Sequence, residues 1–390
     1  MGVRRFDGPL AVGPFYFLSY AAVAVLGQFV SVYLRDLGLA YGAIGALSAT
    51  AAGCGAVTQT LIGPVSDRMR KRVPFALGAT SLLAATYALY PAARNYPTLL
   101  LLHLCIGFFN YTALTAAASL TIDLAPANAV SRAFAGTRIW GSIGYVVAML
   151  SIVMWPALLE PPRMFYFGAV CYVMAGLSLA LVSERSTASH GVRPSLRTGA
   201  KLLRQPKVAM LLTFCTLYWV AMQGGFSMIA LFIKSLGGGR ALMAGSWMVA
   251  AIVEIPFMLW LASRSDRMGR RPVLMIAAVA LPVRLIAYWA VHDPRWVLLV
   301  QTLHGLTFGV TAVAPLAYMN DVVPAHLRAS GQGLLNACLA ASSAAGPLVA
   351  GLVSDRLGIG GAFMALALPA TAALIVLLLA LPESRPAARA

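Results

Sequence analysis

Glu254, Arg284 and His304 stand where charge is least welcome. Each lies inside a long apolar run, at 245–263, 273–291 and 297–319 respectively. An ionisable group in hydrocarbon costs at least about 2.5–3.5 kcal/mol on insertion scales, so it is a functional residue by default. A carboxylate, a guanidinium and an imidazole together can hold a polar solute and pass a proton. Glu254 and Arg284, at similar depth on successive runs, can also neutralise one another; the competing reading is an ion pair that only orients helices. Trp247 precedes Glu254 by seven residues and shares its helical face. Gln301, His304, Thr307 and Thr311 recur at intervals of three and four, giving one polar stripe. Earlier in the chain, Arg138 opens the run 138–158, with Tyr145 two turns on along the same face. Gly141 and Gly144 between them permit close helix packing. His103 reads as structural, and Gln28, Gln59, Asn110, Tyr218 and Gln223 are further polar residues in apolar runs.

The elements that position these residues follow from composition. Of 390 residues, 60% are hydrophobic and 11% charged; a soluble domain carries about 25% charged residues. A spanning helix needs roughly 20 mostly apolar residues. Such runs lie at 12–34, 43–65, 73–93, 98–121, 138–158 and 165–183, then at 208–233, 245–263, 273–291, 297–319, 334–353 and 361–381. The expected fold is an all-α integral membrane protein of twelve transmembrane helices in two pseudo-symmetric six-helix bundles. Its expected divisions are an N-terminal bundle at 1–183, a basic cytoplasmic linker at 184–207 and a C-terminal bundle at 208–390. The first run is too long for a signal-peptide core and is read as a span.

The net charge of +17 follows loop topology. With the N-terminus cytoplasmic, the inside segments hold most of the basic residues, and the outside segments hold only Arg35, Arg94, Arg163, Lys234, Arg240, Arg295 and Arg356. The positive-inside rule therefore places both termini in the cytoplasm of a bacterial inner membrane. The five cysteines fall inside spans without CxxC spacing and read as small hydrophobes. No cofactor or metal is expected: the loop histidines His190, His292 and His326 have no evident metal-ligand neighbours, and no Lys follows a Gly, which excludes a phosphate-binding Gly-Lys-Ser/Thr loop. The expected partners are a small solute, a proton and the lipid bilayer, with no nucleic acid and a monomeric chain.

One unit is used twice. Asp67-Arg68-Met-Arg-Lys-Arg72 follows the second run and Asp266-Arg267-Met-Gly-Arg-Arg271 the eighth, an offset of 199 residues. Asp123-Leu-Ala-Pro126 and Asp321-Val-Val-Pro324 recur at an offset of 198. The doubled Asp-Arg motif, set in the 2–3 and 8–9 loops, resembles the signature of the major facilitator superfamily. That resemblance implies alternating access by rocking of the halves, with the solute site between them near the midplane. It also implies gating roles for Asp67, Arg68, Arg72, Asp266, Arg267 and Arg271. Arg138-Ile-Trp-Gly-Ser-Ile-Gly-Tyr145, Pro282-Val-Arg284 and Gln301-Thr-Leu-His304 are similar to the lactose permease group and its relatives that carry nucleosides or phenylpropionate. By that resemblance Arg138, Glu254, Arg284 and His304 match positions for substrate recognition and proton coupling, and Tyr145 falls where a Trp stacks on sugar. Thr307 and Gln301 replace a Glu and a Lys of lactose permease, leaving Glu254 as the deep carboxylate that can titrate. The expected substrate contacts are Arg138, Tyr145, Trp247, Glu254, Arg284, Gln301 and His304, with Glu254 and His304 coupling the proton. The expected function is proton symport of a sugar, nucleoside or aromatic acid. A drug/proton antiporter is the alternative, although the fifth run lacks the Gly-Pro motif usual there; Gly346-Pro347 lies in the eleventh. A catalytic cluster for a membrane enzyme is not evident.

Overall fold

A computed structural model describes residues 8–69, 72–126, 130–183 and 201–384. The linker interval 184–200 lies outside the described residues, as does Glu184. Among the described residues the chain is helical, with no β-strand. Six long helices come first: α1 (Gly13–Asp36), α2 (Tyr41–Met69), α3 (Val73–Leu89), α4 (Tyr96–Asp123), α5 (Val130–Met154) and α6 (Arg163–Ala180). Four more follow: α7 (Pro206–Ser235), α8 (Arg240–Met268), α9 (Arg270–Ala290) and α10 (Trp296–Val322). The run Arg328–Leu379 breaks at Gly358, whose φ of 72° lies in the left-handed region that favours glycine. It therefore comprises α11 (328–357) and α12 (359–379), which completes the twelve helices expected from hydropathy. Among the described residues ten spans, with 325–379 counted as one, are long and apolar enough to cross a bilayer.

The helices divide into two compact units. Unit 1 takes Met1–Gly38 and Thr50–His190; unit 2 takes Leu39–Ala49 and Gly191–Ala390. In unit 1 the core is aromatic at one end: the rings of Tyr90 and Phe165 stack at 4.7 Å, and those of Tyr87 and Tyr172 at 5.8 Å. His103 is buried against this cluster and its Nδ1 lies 2.9 Å from the Leu99 carbonyl oxygen. Gly144 on α5 lies directly against the Phe17 carbonyl of α1, and Gly141 against the Tyr20 ring, so both glycines serve close packing. Gly346 does the same in unit 2, on α11 against α7, where a Cβ would sit 2.6 Å from the Gly224 nitrogen.

The repeat seen in sequence is a repeat in structure. Gly38 and Gly237, 199 positions apart, follow α1 and α7 with φ of 86° and 81°. At the start of α3, Arg72 Nε meets Asp123 Oδ2 at the end of α4, 3.2 Å away. At the start of α9, Arg270 Nε meets Asp321 Oδ2 near the end of α10, 3.1 Å away. Both partners recur at an offset of 198. The residue paired like Arg72 is thus Arg270. Arg271, taken from the motif, instead donates its backbone N–H to Glu383 and a guanidinium N–H to the Leu378 carbonyl. The Asp-Arg pairs of the motif are helical rather than in loops, because α2 and α8 run on to Met69 and Met268. The side chains of Asp67, Arg68, Asp266 and Arg267 lie outside the described residues. A second correction concerns α5, which begins at Val130. An apolar window marks only the hydrocarbon-crossing part of a helix, so it misses two turns, and Arg138 lies well inside α5 rather than at its start.

The first residues of α2 are pinned to α11. Asp355 accepts from the Tyr41 N–H with one carboxylate oxygen and from the Gly42 N–H with the other, each at 2.8 Å. An anion at a helix N-terminus satisfies otherwise orphaned amides and meets the positive end of the helix dipole. Gly42 is required: a Cβ there would lie 2.7 Å from the Asp355 carboxylate. Gly45 and Gly351 bring the two backbones into contact at Pro347 and Tyr41. Asp355→Ala strands both amides and is expected to cost about 1–2 kcal/mol. Thermal unfolding of the purified protein should show a drop of several degrees, and an unchanged midpoint would refute the cap.

Candidate functional site

The ionisable residues of the second half converge between α7, α8, α9 and α10, all within unit 2. Arg284 on α9 is 1% exposed. Its Nη1 donates to Thr307 Oγ1 at 2.9 Å, and its Nη2 donates to Tyr288 Oη at 3.2 Å and, more closely, to Gln301 Oε1. Tyr288 Oη donates in turn to Gln301 Oε1 at 3.0 Å. The guanidinium also lies 5.4 Å from the Phe226 ring centre and 5.6 Å from that of Tyr288. A buried cation is tolerable when its donors find acceptors, and here those acceptors are neutral.

Glu254 does not neutralise Arg284 directly, as the sequence suggested. No ion pair joins them among the described residues. Glu254 Oε2 instead faces His304 Nε2 at 3.7 Å, longer than a hydrogen bond, with the Glu254 side chain 25% exposed and that of His304 6%. The reason is helical phase: His304 and Gln301 occupy one stripe of α10, and the stripe reaches Glu254 through the imidazole and Arg284 through the amide. Trp247 shares the face of Glu254, and its ring lies edge-on to His304 with centroids 6.4 Å apart.

Local distortion of α10 builds this stripe. Residues Gly305–Gly309 form a π-helical turn immediately after His304. Such turns are rare and occur mainly at functional sites. The Thr307 carbonyl within it accepts from Tyr218 Oη at 3.1 Å and from Thr311 Oγ1 at 2.8 Å. Gly305 lets α10 approach α8: a Cβ there would sit 2.9 Å from the Val253 carbonyl oxygen. Four buried polar atoms at the site have no partner: Trp247 Nε1, Arg284 Nε, Gln301 Nε2 and His304 Nδ1.

Five residues singled out from sequence therefore come together: Trp247, Glu254, Arg284, Gln301 and His304. Arg138 and Tyr145 belong to unit 1. There the Arg138 guanidinium rests 4.0 Å over the Tyr20 ring, a cation–π contact, and Tyr145 is partly buried. Sequence reading misses Tyr288, although it lies one turn beyond Arg284. It also misses Phe226 and Phe308, since isolated phenylalanines carry no signal in an apolar helix. Gln223, noted as polar, spends its amide on Ser343 Oγ at 2.7 Å.

Apolar helices in two related sets, with charged and amide groups held among them, are the architecture of a polytopic membrane protein. The profile of the MFS_1 like family matches residues 10–378, and the chain belongs to that family of major facilitator transporters. It is 25% identical over 387 residues to the maltose permease of Geobacillus stearothermophilus, covering 96% of this chain and 94% of that protein. It is 23% identical over 327 residues to the putative nucleoside transporter YegT of Escherichia coli strain K12, covering 79% of this chain and 75% of that one. Its fold matches the crystal structure of the nucleoside transporter NupG with a TM-score of 0.83 and 19% identity, over 95% of this chain and 98% of that one.

Tyr288→Phe and Thr307→Val each remove one neutral acceptor from Arg284. Each is expected to lower stability by about 1 kcal/mol, read as a fall of a few degrees in thermal midpoint in detergent. Arg284→Lys should cost more than either, because an ammonium cannot span three acceptors in a fixed fork. Equal midpoints for all three variants and wild type would contradict this account of the cage.

Proposed function

We propose that the chain couples the uptake of a sugar or nucleoside to protons, by alternating access across a bacterial inner membrane with both termini cytoplasmic. The observation that carries this reading is the pairing of Glu254 with His304 beside a separately caged Arg284. Glu254 is partly exposed and is not ion-paired with a guanidinium among the described residues, which suits it to carry the coupled proton in this reading. Arg284 is fully buried and keeps its charge. Protonation of Glu254 therefore changes the net charge of the site by one, which is what coupling requires.

The same geometry favours a neutral solute. A guanidinium carries five N–H groups, and three of those of Arg284 already donate, to Thr307, Tyr288 and Gln301, so less of it is left for a carboxylate. What remains are one Nη1 N–H and the Nε N–H of Arg284, the N–H groups of Trp247 and Gln301, and the ring nitrogen Nδ1 of His304. Hydroxyl groups, which both donate and accept, match that set. The maltose permease and nucleoside transporter among its relatives point the same way.

Uptake into sealed proteoliposomes tests this. A pH gradient, acid outside, should drive accumulation of maltose or uridine and leave 3-phenylpropionate outside. Glu254→Gln should abolish accumulation above the equilibrium level while preserving counterflow exchange. Accumulation by that variant at the wild-type level would sink the coupling assignment, and accumulation of phenylpropionate alone would sink the neutral-solute reading.

A further inference from the structure

We propose that Phe226 is the specificity-determining lid of this site, an inference that rests on reading the α7–α10 cluster as the place where solute binds. Four buried polar atoms there lack partners, and three of their side chains surround one ring. The Phe226 centroid lies 5.6 Å from that of Trp247, 5.1 Å from that of His304 and 5.4 Å from the Arg284 guanidinium carbon. Phe308 closes a fourth side at 6.2 Å. The phenyl ring offers these polar atoms no oxygen or nitrogen as a hydrogen-bond partner.

Its burial differs from theirs. Trp247 is 6% exposed, His304 5% and Arg284 1%, whereas Phe226 is only partly buried. Phe226, like Phe308, is thus less buried than the Trp247, His304 and Arg284 side chains it packs against, whose polar atoms lack partners. In this proposal a hydroxylated ring that reaches Trp247 Nε1 or His304 Nδ1 displaces the phenyl ring or lies against its face. The ring is positioned by the pair before it, Gly224 and Gly225, which let α7 lie against α11 and α9: a Cβ on Gly225 would sit 3.1 Å from Leu285. With α7 held this closely, the size of residue 226 decides how large a ring the site accepts.

The first readout of the test requires no solute. The purified full-length chain is treated with diethyl pyrocarbonate, and modification is followed at each histidine by peptide mass spectrometry. Phe226→Ala should raise the rate at His304 by roughly tenfold or more, with Phe226→Leu intermediate. His292, which is exposed, and His103, which is buried in the other unit, should react as in wild type. In proteoliposomes the same variants should shift the ratio of kcat/KM for maltose to that for uridine by roughly tenfold, the scale on which pocket volume discriminates. An unchanged rate at His304 overturns the lid, and an unchanged ratio overturns the role in specificity. Arg284→Ala, assayed alongside, separates the two levels. Undiminished uptake by that variant refutes the site itself. Loss of uptake there, with the maltose-to-uridine ratio unaffected by Phe226→Ala, refutes only the inference about Phe226.

Discussion

A guanidinium held inside an apolar helix bundle must find an acceptor for its donors, and Arg284 is the constraint around which the second half of the chain is organised. Thr307, Tyr288 and Gln301 supply those acceptors from α9 and α10. Each of them is fixed in turn. Tyr288 donates onward to Gln301, and the Thr307 carbonyl is tied to α7 by Tyr218. The cation joins α9 to α10, and the carbonyl of one of its ligands ties in α7. Because its hydrogen-bond acceptors are all neutral, Arg284 is not ion-paired with Glu254 among the described residues, and Glu254 faces His304 instead.

The two halves show what duplication keeps and what it lets go. The Arg72–Asp123 and Arg270–Asp321 pairs and the Gly38 and Gly237 turns recur at nearly one offset, so the joints at the helix ends have been retained. The interiors have diverged. Unit 1 fills one end with stacked tyrosines and phenylalanine, whereas unit 2 places a network of charged and amide groups between its helices. Helix ends are constrained by backbone amides that must be satisfied in any membrane protein. Side chains facing an internal space are constrained only by what that space must do.

The number and order of helices are legible from hydropathy alone, because lipid demands long apolar runs. Five of the candidate site residues are conspicuous for the same reason, as charged or polar groups inside such runs, and helical spacing puts Trp247 with Glu254 and Gln301 with His304. Pairing is not legible. Periodicity says which residues share a face, not which face meets which neighbour, so depth alone sets Glu254 opposite Arg284, whereas its partner is His304. The π turn leaves no mark in Gly305-Leu-Thr-Phe-Gly309 beyond its glycines. Phe226 and Phe308 look like any lipid-facing phenylalanine until their neighbours are known.

That π turn reaches beyond the residues beside it. A π turn amounts to one residue inserted into an α-helix, and one residue rotates everything that follows by roughly 100°. Downstream on α10 lies Asp321, whose carboxylate meets Arg270. Loss of the extra residue would swing Asp321 away from α9 and from the Ser384 hydroxyl that donates to the same oxygen. The two ends of α10 are therefore locked in phase: the angular setting that aims His304 and Gln301 inward is the one that aligns the acid at the far end, so neither can be retuned by insertion or deletion without unfastening the other.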